Sequence, residues 1–260
     1  MINSGLAAPA TADEILAAVD RPVALFFDVD GTLLDIADRP DRVAIPAELV
    51  ATLAEAERKL DGALALVSGR NFDEIDRLFR PLKLRAAAVH GAELRFDPKA
   101  APLRSPGTTE LPDSLWNRLT NALREYPGTF AENKRYSFTV HYRLAPGVEA
   151  SLREAVMRVV RSEPQIAVEV MNARRAIELK APGYDKGRAV IAFLSVPPFL
   201  GRTPIYVGDD TTDEAGFTAV SSRGGFAYSV GRRRPGARGV FARPSDVRDW
   251  LADFAERRGE

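Results

Sequence analysis

Residues 23–32 read VALFFDVDGT, from Val23 through Asp28 and Asp30 to Gly31 and Thr32. Val23 to Phe27 is an unbroken apolar run. Such a run suits a strand covered on both faces, the situation of a parallel sheet flanked by helices. The run stops at Asp28. A carboxylate at a strand end can attack phosphorus and form an acyl phosphate. A second carboxylate two residues on, Asp30, can protonate a leaving oxygen and then take a proton from water. Gly31 allows a sharp backbone turn, and Thr32 is expected to hold that turn through its hydroxyl. Two carboxylates after a strand also serve as a plain capped turn, but four such letters in this order after an apolar strand favour the chemical reading.

Working outward, residues 46–60 have helical spacing, with Leu49, Leu53 and Ala56 on one face and Pro46 in the first turn. Ala63 to Val67 is a second apolar strand, ending at Ser68-Gly69-Arg70. A helix follows over 72–79, stopped by Pro81, and Ala86 to Val89 gives a third strand ending at His90-Gly91. The pattern then changes. Residues 102–112 are rich in Pro, Gly and Thr and read as a linker. Helix (115–126), strand (137–142), helix (148–161) and strands (166–170 and 176–180) follow, an order that predicts an α+β unit with an antiparallel sheet. Ala181-Pro182-Gly183 reads as the return linker. Helix (186–194), strand (205–207), a helix holding Phe217 and a last helix (245–257) complete the chain. The expected fold is α/β: a Rossmann-like parallel-sheet core from residues 1–106 and 182–260, with an α+β cap inserted at 107–181.

Open parallel sheets bind ligands beyond the carboxyl ends of their strands. The polar residues at those ends are Asp28, Asp30, Ser68, His90, Asp209 and Asp213. Gly208-Asp209-Asp210-Thr211-Thr212-Asp213 is a second carboxylate cluster. It suits a hard divalent cation, which takes oxygen ligands, and it also suits a negatively charged helix start. An anionic nucleophile facing an anionic phosphate favours the cation. Ser68 precedes a helix, so its hydroxyl and the helix N-terminus are candidates for holding phosphate oxygens. Lys186 opens another helix and can present a point charge to the same group.

Composition narrows the partners. The 260 residues carry 36 Lys+Arg and 36 Asp+Glu, so formal net charge is zero and no nucleic acid or anionic membrane surface is expected. There is no cysteine, which excludes disulfides, thiolate metal sites and cysteine nucleophiles. Residues 1–20 lack the features of a signal peptide, and no apolar stretch reaches about 18 residues. A cytoplasmic location is expected. The run Arg232-Arg233-Arg234 beside Pro235 and Gly236 reads as a solvated loop.

The motifs together resemble the haloacid dehalogenase (HAD) superfamily: DVDGT from Asp28, then Ser68, Lys186 and GDDTTD from Gly208. Only about 35 residues separate the first two, too few for a domain, so the insertion between Ser68 and Lys186 resembles the members with an α/β cap there. Within that group the chain is similar to the trehalose-6-phosphate phosphatases, on DVDGTLLDI from Asp28, LVSGR from Leu66, HGAELR from His90, ENKRYSFTVHYR from Glu132, IELKAPGYDKGRAV from Ile177 and YVGDDTTDEAGF from Tyr206.

The resemblance implies hydrolysis of trehalose 6-phosphate with Asp28 as nucleophile and Asp30 as acid and base. It implies Mg²⁺ held by Asp28, the Asp30 carbonyl and Asp209, with Asp213 as a ligand or an orienting neighbour, and phosphate held by Ser68 and Lys186. The sugar is then read by the cap and the His90 loop: His90, Glu93, Glu132, Lys134, His141, Arg143, Asn172 and Glu178 are the candidates, with Glu169 nearby. Rival readings are a phosphatase for sucrose phosphate or mannosyl-phosphoglycerate, a mutase, for which no shielding motif is evident, and a non-catalytic sugar-phosphate sensor.

Overall fold

A computed structural model describes residues 22–37, 43–145, 147–173 and 175–256. In chain order the elements are β1 (Val23–Phe27), α1 (Leu49–Lys59), β2 (Leu64–Val67), α2 (Phe72–Leu78), β3 (Arg85–Ala88), β4 (Glu93–Arg95), β5 (Leu103–Arg104), α3 (Asp113–Leu123), β6 (Phe130–Asn133), β7 (Ser137–His141), α4 (Glu149–Arg161), β8 (Glu169–Ala173), β9 (Ala176–Lys180), α5 (Lys186–Leu194), β10 (Thr203–Gly208), α6 (Glu214–Ser221), β11 (Phe226–Val230), β12 (Gly239–Phe241) and α7 (Pro244–Glu256). The segment 1–20 and Arg257, the expected end of the last helix, lie outside the described residues. No helix among the described residues is long and apolar enough to cross a membrane.

Every side chain of β1 is buried, as its apolar run requires, and β1 sits near the middle of an eight-stranded sheet ordered β12-β11-β10-β1-β2-β3-β4-β5. It runs parallel to β2 and β10, and β3, β11 and β12 continue the parallel pairing. The sheet is not wholly parallel. β4 pairs antiparallel with β3, Ala88 opposite Glu93. A parallel return needs a crossover of a dozen or more residues, whereas only the residues from Val89 to Ala92 join these strands. Helices cover the sheet as their patterns dictate. α1 buries Leu49, Leu53 and Ala56. Phe193 of α5 packs with Phe26 and Phe199, ring centroids 5.1–6.1 Å apart.

The chain divides into two compact units. One comprises the chain up to Leu103 and from Asp185 onward, the other Arg104–Tyr184. The second holds an antiparallel sheet ordered β6-β7-β9-β8, with α3 and α4 on one face. The expected strand at 166–170 lies at 169–173 instead. Residue 166 still belongs to a turn, its N–H donating to the Glu163 carbonyl. The bounds of β6 were not foreseen. Phe130-Ala131-Glu132-Asn133 is too short and too mixed to show alternation, and its pairing with β7 makes it a strand.

Candidate active site

The parallel strands bring the expected polar residues to one edge. Asp28 follows β1 and is buried, and its N–H donates to the carbonyl of Val207 at the end of β10. The turn after it is closed by the backbone alone: Gly31 N–H donates to Leu34 O (2.7 Å), and Leu33 and Leu34 N–H both donate to Val29 O. Thr32 does not hold the turn as expected. Its hydroxyl is buried with no hydrogen-bond partner among the described residues, because the turn's backbone groups already satisfy one another. Gly31 has φ +87°, and a Cβ there would stand 2.3 Å from Asp209 Oδ2. The glycine thus gives the Asp209 carboxylate its place beside the Asp28 turn.

Lys186, the first residue of α5, is the centre of the charge network. Its Nζ donates to Asp28 Oδ1 and to Asp213 Oδ1, each at 2.7 Å. Asp213 also accepts from Tyr206 OH at 2.8 Å on Oδ1, and from the N–H groups of Asp209 and Asp210 at 3.1 and 2.9 Å on Oδ2. A carboxylate offers about four acceptor positions, and these four donors fill them. Gly208 makes this possible, since a Cβ there would lie 2.3 Å from Asp213 Cγ.

The electrostatics follow from burial and crowding. Burial pushes Asp28 well above the usual carboxylate range; Lys186 opposes this, while Asp213 and Asp209 add to it. Asp209 is pushed up to about 7, by burial first and then by Asp213. Burial works to lower Lys186, but its contacts with Asp213 and Asp28 outweigh that and hold it above its ordinary value. Burial, with Asp213 beside it, also raises Tyr206. Oxygens of Asp28, Asp209 and Asp213 lie within 4.8 Å of one another. With all three ionised, three carboxylates against one ammonium leave an excess of two negative charges. A divalent cation fits that excess, and a carboxylate set with no sulfur or imidazole suits a hard one.

Asp30 is half-exposed in the same turn. Arg70, from the Ser68-Gly69-Arg70 loop, grips both its oxygens, Nε to Oδ2 and Nη2 to Oδ1, each at 2.7 Å. Arg70 also contacts Glu74 Oε1 at 3.3 Å. Ser68 is buried at the end of β2, and its hydroxyl accepts from Arg70 N–H. It does not cap α2. Asn71 does, in a reciprocal capping box with Glu74. His90 stands on an unusual backbone. Val89 and His90 have φ of +46° and +55°, a left-handed pair that costs about 1–3 kcal/mol per residue. The return is that His90 N–H donates to Ser68 O (2.8 Å) and Val89 N–H to Arg70 O (2.9 Å), tying this turn to the Ser68 loop. Glu93 lies on β4, three residues further on.

Sequence reasoning missed several residues. Arg70 stood in a quoted string without a role. Tyr206 was hidden in an apolar strand, where only the structure reveals its hydroxyl on Asp213. Arg234 was read with its neighbours as solvated. Arg232 and Arg233 are exposed, but Arg234 is buried and reaches Asp209, Asp210 and Glu214.

In the unit Arg104–Tyr184, register sorts the remaining candidates. Glu132, Thr139, Glu178 and Met171 form one row across all four strands. Ser137, Lys180 and Glu169 form a second row on the same face, and Phe130 and His141 are opposite one another in a third. Glu132 Oε2 lies 3.3 Å from His141 Nε2 and 3.4 Å from Lys134 Nζ. Burial of Glu132 works to raise its carboxyl, but the His141 bond and Lys134 bring it below its ordinary value. Arg143 is in the turn after β7. Asn172 does not join them. It pairs in register with Ile177, on the face where Trp116 of α3 packs Phe138 at 5.1 Å, and its amide oxygen accepts from Arg153 of α4. One-residue spacing from Met171 puts it on the opposite side of the pleat. Thr139 and Ser137, given no role by the sequence, have buried hydroxyls without partners among the described residues.

A family model for trehalose-phosphatases matches residues 26–242. The trehalose-6-phosphate phosphatase of Escherichia coli (strain K12) is 38% identical over 229 residues, covering 88% of this chain and 85% of that protein. A solved structure of a trehalose-6-phosphate phosphatase related protein is 25% identical, with a TM-score of 0.74 over 89% of this chain and 97% of its own. The C-terminal domain of the C. albicans trehalose-6-phosphate phosphatase, at 20% identity, shares the fold: TM-score 0.82, covering 97% of this chain and 99% of that one. With its residues 26–242 matched and its strand-end carboxylates gathered around one lysine, the chain belongs to the trehalose-phosphatase family.

Proposed function

We propose that this phosphatase hydrolyses trehalose 6-phosphate to trehalose and phosphate in the cytoplasm, with Asp28 as the covalent nucleophile. The observation that carries the mechanism is the Lys186 ammonium, buried and held 2.7 Å from both Asp28 and Asp213. It fixes the Asp28 carboxylate and keeps positive charge where a phosphoryl group would arrive. Asp28 attacks phosphorus, and the bond to the sugar oxygen breaks. Asp30 gives that oxygen a proton, then takes one from the water that cleaves the aspartyl phosphate. The Arg70 fork occupies both oxygens of Asp30, so Asp30 gives its proton only with that fork opened. Ser68 and Lys186 hold phosphate oxygens.

Asp28, the backbone carbonyl of Asp30 and Asp209 would hold Mg²⁺. The cation would supply charge neutralisation for the phosphate and the nucleophile. Asp213 serves as an orienting group, since Lys186, Tyr206 and two backbone amides occupy its oxygens. Glu132, Lys134, His141, Arg143 and Glu178, with Thr139 added, read the sugar hydroxyls from the sheet of the 104–184 unit, and His90 and Glu93 do so from the β3–β4 turn. Asn172 is withdrawn from that set.

The test is phosphate release from a panel of trehalose 6-phosphate, sucrose 6-phosphate, mannosyl-3-phosphoglycerate, glucose 6-phosphate and p-nitrophenyl phosphate, with Mg²⁺ or EDTA. Trehalose 6-phosphate should give the highest kcat/KM, and EDTA should abolish turnover. A preference for another sugar phosphate would replace the substrate. Absence of turnover on every ester would overturn the catalytic reading and favour the sensor.

A further inference from the structure

Arg234 stands on the turn that follows β11. Because β11 pairs in parallel with β10, Gly208 opposite Ser229, this turn leaves the sheet beside the carboxylate loop that follows β10. Arg232 and Arg233 point to solvent, whereas the Arg234 side chain is 7% exposed. Its Nε donates to the backbone carbonyl of Asp209, Nη2 to Asp210 Oδ1 at 3.1 Å and Nη1 to Glu214 Oε1 at 3.3 Å. The guanidinium thus ties together the two ends of the loop, with Asp209 at the start and Glu214 at the head of α6. A planar fork with donors in fixed directions can hold three points at once, which an ammonium cannot.

Two physical consequences follow. The loop carries four acidic groups, Asp209, Asp210, Asp213 and Glu214, beside Asp28. The single positive charge of Arg234 is shared between Asp210 and Glu214, which leaves Asp209 as the carboxylate facing the Asp28 turn. It also fixes the main chain of Asp209. That main chain determines where the Asp209 side chain stands against Gly31, in a space that a single Cβ would fill. Groups that orient ligand residues without touching the metal typically set affinity by 10- to 100-fold.

We propose that Arg234 is a positioning residue for the divalent-cation site, holding Asp209 in place for the ion. This rests on the reading of Asp28 and Asp209 as cation ligands. It concerns an arginine in a three-arginine run whose other members have no such contacts among the described residues.

Equilibrium binding of Mn²⁺ to the full chain, followed by loss of the free-ion EPR signal, tests it. Wild type should bind the ion and Asp209→Asn should lose it. A wild type that binds no Mn²⁺ would overturn the cation-site reading and the inference with it. If the wild type binds, Arg234 is tested by two variants. Arg234→Gln removes charge and fork, and Arg234→Lys keeps the charge alone. Both should weaken Mn²⁺ binding by about 10-fold or more. The apparent activation constant for Mg²⁺ should rise in parallel, while kcat at saturating Mg²⁺ stays within about 3-fold of wild type. Removing a positive charge without any positioning effect would do the opposite: Gln would tighten binding and Lys would leave it unchanged. Unchanged or tighter binding in either folded variant overturns the proposal. Circular dichroism without cation establishes folding, and Arg234→Lys decides alone if Arg234→Gln does not fold.

Discussion

The strand-end cluster around Lys186 and the polar sheet face of the 104–184 unit are both rich in charged and hydroxyl groups, but they spend them differently. In the first, Asp28, Asp30 and Asp213 are committed to partners inside the protein, although the Thr32 hydroxyl has none among the described residues. Asp213 accepts four hydrogen bonds, Lys186 bridges two carboxylates, and Arg70 holds both oxygens of Asp30. In the second, Glu132 is paired with His141 and Lys134, but the Thr139 and Ser137 hydroxyls on the same face have no partner among the described residues. A buried hydroxyl left alone costs stability unless something meets it. On the proposed function, the contrast separates chemistry from recognition. Groups that act on a phosphoryl unit common to all phosphate esters are organised in advance. Groups that read one particular sugar retain capacity for it.

The largest effect should come from the first region. Asp28→Asn keeps shape and removes the anionic attacker, so kcat should fall by several orders of magnitude on every ester, in steady-state phosphate release, with the fold retained by circular dichroism. Near-normal turnover would break the assignment of the chemistry to this edge. Lys186→Ala should cost about 100- to 1000-fold in kcat/KM, equally on trehalose 6-phosphate and on p-nitrophenyl phosphate. A loss confined to the sugar ester would move Lys186 to the recognition side of the comparison.

Gly31→Ala should raise the Mg²⁺ concentration needed for activity by about 10- to 100-fold, because its Cβ would displace the Asp209 carboxylate. Unchanged Mg²⁺ dependence would mean that Asp209 is not placed by this turn.

The smallest effect is on stability. Asp209 is raised to about 7 and Asp28 is also raised, against about 4 in an unfolded chain. Between pH about 4 and 7 the folded state therefore holds more protons than the unfolded one, and stability of the cation-free protein falls as pH rises through that window. Mg²⁺ should restore it once the cluster is ionised. The rise in Tm on adding Mg²⁺, by calorimetry, should thus be larger at pH 8 than at pH 5. An equal rise at both would place the ion elsewhere.

The legibility of the two regions differs for the same reason. VALFF stood out as an apolar run, the two carboxylate motifs and Ser68 as polar residues closing apolar strands and Lys186 as the opening of a helix, and β1, α5 and β9 fell where periodicity put them. What sequence could not give was side-chain reach. Arg70 and Arg234 reach across elements distant in the chain, and Tyr206 reaches back onto the loop that follows its own strand. On the sheet face, alternation alone could not say which residues share a row. Glu132 and Glu178 do, through Thr139, while Asn172 lies on the side facing α4 because pairing slid β8 three residues beyond the expected strand.

The division of labour is tested most directly by the ratio of kcat/KM for trehalose 6-phosphate to that for p-nitrophenyl phosphate, measured in wild type and in Glu178→Ala. Glu178 lies on the face of the 104–184 unit, in the row with Glu132 and Thr139. A buried hydrogen bond from a sugar hydroxyl to a charged acceptor is worth about 1–3 kcal/mol, so the ratio should drop about 10- to 100-fold. The small ester carries no sugar, and its own kcat/KM should stay within about 3-fold of wild type. A ratio unchanged from wild type, with both substrates losing equally, would contradict the account and make the 104–184 face a structural support for the chemistry instead of its reader of substrate.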